Sequence, residues 1–200
     1  MKGYQPPDQG TRGSNPLATT LKQMDGKTVS AADGLRLNAD TDGLHAENED
    51  DGIQGGVYIG GGSFDIHAAD DGIHGQTQVR VDGGMLAVTA AEGVESTWVL
   101  ITGGELDIRA SGDGVNAGFK SDACRPRIEI TGGSVTVTMD GENSDALDSN
   151  ADMIISGGTV SVTGAGIDWD GGLSFTDGTV IIDGETVTGI PNTSTHSLTE

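Results

Sequence analysis

Acidic side chains recur beside glycine in this sequence at a spacing that could gather oxygen ligands around a cation. The first position of each acidic corner holds Asp42, Asp71, Glu92, Asp113 and Asp145, separated by 29, 21, 21 and 32 residues. Two residues on comes an apolar side chain: Leu44, Ile73, Val94, Val115, Leu147 and, in the next unit, Ile167. The following position holds His45, His74, Glu95, Asn116, Asp148 and Asp168. Two beyond it stand Glu47, Gln76, Thr97, Gly118, Asn150 and Asp170. In extended chain the apolar column points inward and the last two columns share the outer face. Carboxylates stacked at the spacing of neighbouring strands, about 4.8 Å, repel by a few kcal/mol at an effective dielectric near 20. A hard dication offsets that repulsion, and calcium takes roughly six to eight oxygens from carboxylates, amides and backbone. Asp148 with Asn150, next to Asp168 with Asp170, is the strongest such group; Asp145, Asp113, Asn116 and Glu95 extend it. Taken singly, an Asp before Gly is equally a turn residue facing water. No twelve-residue EF-hand loop is present.

His45 and His74 occupy equivalent positions and could stack. Zinc or nickel between them is conceivable, but two imidazoles are too few ligands. His67 and His196 look incidental.

The elements that must position these columns come from an internal repeat. "VRVDGGMLAVTAAEGVEST" is followed by "VLITGGELDIRASGDGVNAG", "IEITGGSVTVTMDGENSDALDSN" and "MIISGGTVSVTGAGIDWDGG". Glycine pairs begin at Gly61, Gly83, Gly103, Gly132 and Gly157, 22, 20, 29 and 25 residues apart, with a weaker version at Gly178. The basic unit is thus about 20–22 residues, with insertions. Each unit holds two alternating runs, such as Val135 and Val137 against Thr136 and Thr138, separated by a glycine turn. Two short strands and two turns per unit predict an all-β fold, a right-handed parallel β-helix or solenoid. Leucine is too scarce for a leucine-rich horseshoe, and a β-sandwich would not explain the in-phase corners.

The sequence divides into an N-terminal arm or cap (1–27), the repeat domain (28–185) and a polar C-terminal tail (186–200). A second Asp-Gly corner at Asp51 lies too close to Asp42 for a full unit and reads as an insertion. Thirty-one acidic residues against ten basic ones give a formal charge of −21. That excludes nucleic acid and anionic membrane as partners and favours cations. Cys124 is the single cysteine, so no intrachain disulfide forms. No apolar run is long enough to insert into a membrane, and no signal peptide is visible.

The ordered set "DGLHAENEDD", "ADDGIHGQTQVRVDGG", "AEGVES…VLITGGELDI", "SGDGVNAG", "DALDSNADMIISGGTV" and "GIDWDGG…DGTV" resembles a bacterial family of surface carbohydrate-binding right-handed parallel β-helices, similar in shape to pectate and other polysaccharide lyases. The resemblance covers roughly residues 28–185. It implies calcium held at Asp145, Asp148, Asn150, Asp168 and Asp170, an acidic plant polysaccharide or cellulose as partner, and an extracellular or cell-surface location. The chain departs from the pattern where Ala146 replaces a corner glycine, where Trp169 stands in place of tyrosine, and in having fewer units. On this reading the protein is a non-catalytic binding module. Trp98 and Trp169 are candidates for stacking on sugar rings, or else pack at the core or edge, and Lys120 and Arg125 could hold a carboxylate. The alternative is a calcium-dependent lyase. Lys120, the only lysine of the repeats, would be the base, with Arg125 and Arg127 gripping the substrate in the insertion "GFKSDACRPR". A third reading is a structural or adhesive spacer in which calcium is only a staple.

Overall fold

The computed structural model describes residues 21–22, 28–48, 50, 52–141 and 144–192, with side chains from residue 34 onward. Most of the arm assigned to 1–27, the corner residue Asp51, His196 and the end of the tail lie outside the described residues. Alternation of apolar and polar residues produces fifteen strands among the described residues. They are β1 (Leu21–Lys22), β2 (Thr28–Ala39), β3 (Leu44–Ala46), β4 (Gly56–Ala68), β5 (Asp71–Val81), β6 (Met85–Ala90), β7 (Glu92–Ile101) and β8 (Glu105–Ala110). Then come β9 (Val115–Ala117), β10 (Arg127–Met139), β11 (Leu147–Ser149), β12 (Asp152–Thr163), β13 (Ile167–Trp169), β14 (Leu173–Ile182) and β15 (Glu185–Val187). Among the described residues all pairings are parallel except β14 with β15, which is antiparallel.

The expectation of a right-handed parallel β-helix solenoid is corrected by the way the pairing closes. Strand β4 pairs with β5, β5 with β7, β7 with β10, β10 with β8, β8 with β6, and β6 again with β4. The result is a closed six-strand parallel β-barrel with the remaining strands outside it. Two long strands make the closure. In β4, Gly56–Ile59 lies on β5 while Ser63–His67 lies on β6. In β10, Arg127–Ile130 lies on β7 while Ser134–Met139 lies on β8. A repeat count shows which unit neighbours which. It does not show that one bent strand serves two walls.

The glycine turns permit the bends. Gly133 has φ +82°, and a Cβ there would sit 2.8 Å from the Gly103 carbonyl carbon and the Gly104 oxygen. Left-handed backbone and a neighbouring chain at that range leave no place for a side chain. The interior is filled by in-register apolar ladders. Leu35, Phe64, Leu86, Leu106, Val135, Val160 and Val180 form one, and Leu37, Ile66, Val88, Ile108, Val137 and Val162 another. The column Leu44, Ile73, Val94, Val115, Leu147, Ile167 is also in register and buried throughout. A slip of one residue would turn these ladders to solvent, so burial and register enforce each other. At the C-terminal end, Ile190 joins the core and Asn192 bridges to Ile167.

Candidate functional site

The polar column beside that apolar ladder has the register the sequence predicts. His45 pairs with His74, His74 with Glu95, Glu95 with Asn116, Asn116 with Asp148, and Asp148 with Asp168. His45, Asn116, Asp148 and Asp168 sit on three-residue strands, and His74 and Glu95 near the start of the longer β5 and β7. In each, the buried apolar side chain just before it anchors the strand, and alternation turns the polar one to the other face. Along this single column, the source of positive charge changes.

At the His end the protein supplies its own cations. His74 Nδ1 lies 2.8 Å from Asp71 Oδ2 and 2.9 Å from Glu95 Oε2, and Lys120 Nζ lies 2.5 Å from Glu95 Oε1. Burial would lower His74 and raise Glu95, but hydrogen bonds and charges win, those of Asp71 and Glu95 at His74 and those of His74 and Lys120 at Glu95. His74 is pushed up to about 9, and the His74 and Lys120 contacts bring Glu95 down to about 2. In the preceding row His45 Nδ1 contacts Asp42 Oδ2, and its ring stacks on His74 with centroids 4.6 Å apart and planes 10° off parallel.

At the Asp end no such cation arrives. Among the described residues neither Asp148 nor Asp168 forms an ion pair. Burial and then the charges of Asp113, Asp168, Asp145 and Asp170 push the Asp148 carboxyl up to about 7. Glu92 reaches about 7 through burial and the Glu95 charge, against a 3.1 Å hydrogen bond from Asn116 Nδ2. Burial also raises Asp113, although it accepts the Asp145 backbone N–H at 2.9 Å. Asp42 accepts the Asp71 N–H in the same way, at 3.1 Å, so each of these two carboxylates ties its corner to the backbone of the next. Asp168 Oδ1 and Asn116 Oδ1 are buried and have no hydrogen-bond partner. Such oxygens are costly unless something binds them. Asn150 Oδ1 comes close to the position a Cβ on Gly118 would take, 3.4 Å away, and Asn116 Oδ1 comes within 3.8 Å of it. Asp170 is exposed at the rim.

Three-residue groups whose ligand atoms all lie within 4.8 Å of one another occur at Asp71, His74 and Glu95, and at Asp42, Asp70 and Asp71. Among the described residues Asp113, Asp145, Asp148, Asp168 and Asp170 form no group that tight. Of the predicted calcium ligands, Glu95, Asn116, Asp148 and Asp168 thus share one row, and among the described residues no three carboxylates of Asp113, Asp145, Asp148, Asp168 and Asp170 gather around one point.

The other predicted residues fall around this face. Trp98 lies under the Arg127 guanidinium, 3.8 Å from ring centroid to Cζ, and its Nε1 is buried without a partner. Trp169 packs against the core. Arg125 is paired with Asp152 at 3.1 Å. Lys120, with its pKa raised by Glu95 despite burial, is held as a cation, which is the wrong state for a base. Sequence reasoning passed over Phe119, the neighbour of Lys120, whose side chain is 73% exposed. Ser121 Oγ donates to the Gly52 carbonyl, so this insertion is fastened to the one that carries exposed Ile53. The signal was available: an aromatic inside a polar insertion has no core to enter. Also missed was the Asp71–His74–Glu95 network, foreshadowed by the repeated "DGLH" and "DGIH".

The family described as carbohydrate-binding domain-containing protein matches residues 23–98 and, overlapping, 94–190. No curated protein and no solved structure matches the chain.

Proposed function

Because the chain belongs to the family of carbohydrate-binding domain-containing proteins, we propose that it is a non-catalytic module that holds an acidic or cellulosic polysaccharide outside the cell or at its surface, with calcium in the Asp148–Asp168 row. The family membership carries the carbohydrate role. The calcium reading is supported by the unpartnered buried oxygens of Asp168 and Asn116 beside a raised Asp148 carboxyl. The donor set fits a hard cation, since every ligand is oxygen: Asp148, Asp168 and Asn116 within the row, with Asp113, Asp145, Asn150 and Asp170 around it. When bound, the ion would neutralise the row and could bridge a protein carboxylate to a sugar carboxylate.

Sugar contact falls most naturally on the insertion edge. Phe119 offers an exposed ring face and Lys120 a fixed positive charge beside it. Trp98, covered by Arg127, and Trp169, packed on the core, are less open for stacking. The lyase alternative needs Lys120 neutral, and the Glu95 contact works against that.

The test is retention on polygalacturonate and on cellulose, with calcium or with chelator, while the ultraviolet absorbance of unsaturated uronate is followed. Calcium-dependent retention with flat absorbance, lost in Phe119→Ala, is expected. Rising absorbance that Lys120→Ala abolishes would make the protein a lyase. Absence of retention on either polymer, together with a melting temperature that drops on chelation, would reduce calcium to a staple.

A further inference from the structure

We propose that Asp71, His74 and Glu95 form a second metal site, for a divalent transition ion of the zinc type. This proposal does not rest on the calcium reading, because it uses other residues and other donor chemistry. The two histidines alone could not hold such an ion. Folding adds the missing ligands by stacking β5 on β7, which sets Glu95 beside His74, while the Asp-x-x-His spacing brings Asp71 back to the same nitrogen.

The group offers one imidazole nitrogen and two carboxylate oxygens, all within 4.8 Å of one another, on side chains 12%, 10% and 7% exposed. Three protein ligands with a position left open is a common arrangement for zinc, with metal–ligand distances of about 2.0–2.2 Å. Tetrahedral ligands at that range stand about 3.3 Å apart. The present separations of 2.8 and 2.9 Å need an outward adjustment of only about 0.5 Å by that geometry.

Neighbours already hold the ligands in their orientations. Lys120 keeps Glu95 Oε1, leaving Oε2 turned toward His74. The stacked His45 ring, itself tied to Asp42, fixes the plane of His74. Outer partners of this kind are what set ligand orientation in metal sites. Imidazole also separates the two ends of the column: calcium takes oxygen, whereas zinc, nickel and copper accept nitrogen.

The experiment is calorimetric titration of Zn²⁺ into the full chain in saturating calcium. Saturable uptake is expected, weakened roughly tenfold or more by His74→Gln and by Asp71→Asn. His67→Gln should leave it unchanged. In the wild type, bound Cu²⁺ should show imidazole nitrogen coupling in its paramagnetic resonance spectrum. If His74→Gln does not fold, Asp71→Asn and the copper spectrum decide the matter. Lack of saturable uptake, equal affinity in Asp71→Asn, or a copper spectrum without nitrogen coupling would each overturn the proposal.

Discussion

Replacing Asp148 by asparagine should stabilise the protein in chelator and destabilise it in calcium. The carboxyl sits in register between Asn116 and Asp168, and burial with four neighbouring acids moves it from 3.8 to about 7. A carboxyl raised in this way binds its proton more tightly in the folded state. Its ionisation therefore removes stability as pH climbs from 3.8 through 7, and the full loss is present above 7. A rise from 3.8 to about 7 corresponds to about 4 kcal/mol at full weight. The side chain is only part-buried, so solvent screening reduces this to about 2 kcal/mol. For a chain of this size that is a rise of about 4–8 °C in melting temperature for Asp148→Asn. Asparagine keeps the shape, and its amide can donate to Asp168. Thermal melts in chelator should show the variant ahead near pH 8 and level with wild type near pH 4. In calcium the order should reverse, because the variant has lost a charged ligand. A variant that melts lower than wild type in chelator near pH 8 would refute the reasoning, as would a gap that does not change with pH.

Three further outcomes are expected. Glu95→Gln leaves Lys120 and His74 facing a neutral amide in a site where Glu95 is 7% exposed, and should cost about 3 kcal/mol in denaturant unfolding; a cost near zero would mean the pair contributes nothing. His74 binds its proton more tightly in the folded state, up to about 9 against 6.5. Its contribution is complete below 6.5 and is lost as pH rises through 9, so stability should fall across that window in the wild type and stay flatter in His74→Gln. Gly133→Ala should cost about 2 kcal/mol or more, combining a strained φ with contacts at 2.8 Å. Gly184→Ala has a similar φ of +85° and nothing within 4 Å, so it should cost only about 1–2 kcal/mol; equal losses at the two positions would show that close approach is not what excludes a side chain at Gly133.

The columns were legible in the sequence because strand periodicity is strict. Leu44 through Ile167, and His45 through Asp168, could be placed one above another from spacing alone. Closure of the sheet was not legible. It depends on β4 and β10 continuing through their glycine turns as single bent strands, and the same glycines would equally well separate two short ones. At the candidate site, the register was legible. Asp148 and Asp168 stand in register because each follows the buried apolar residue of its corner, Leu147 or Ile167. Glu95, placed among the calcium ligands, turns out to be bound to His74 and Lys120, because residue type at a register position does not say which cation arrives from an insertion. Phe119 and Lys120 lie where the repeat is interrupted, and periodicity carries no information there.

The antiparallel return of β15 limits how the molecule can grow. A parallel sheet ending on β14 would display unpaired N–H and C=O groups in the register that each strand offers the next, a template for another copy of the chain. By turning back, β15 pairs Val180–Ile182 with Glu185–Val187 in the opposite sense. Asn192 meanwhile lies on Ile167 and donates to the Trp169 carbonyl at 3.0 Å on the other wall. The β14 margin is thus partly covered by a segment of reversed direction, whereas the bridge of Asn192 to Ile167 on the other wall is parallel. Across Val180–Ile182 the outermost long strand is therefore met by a partner of opposite polarity, which takes up the edge groups that a further parallel strand would need.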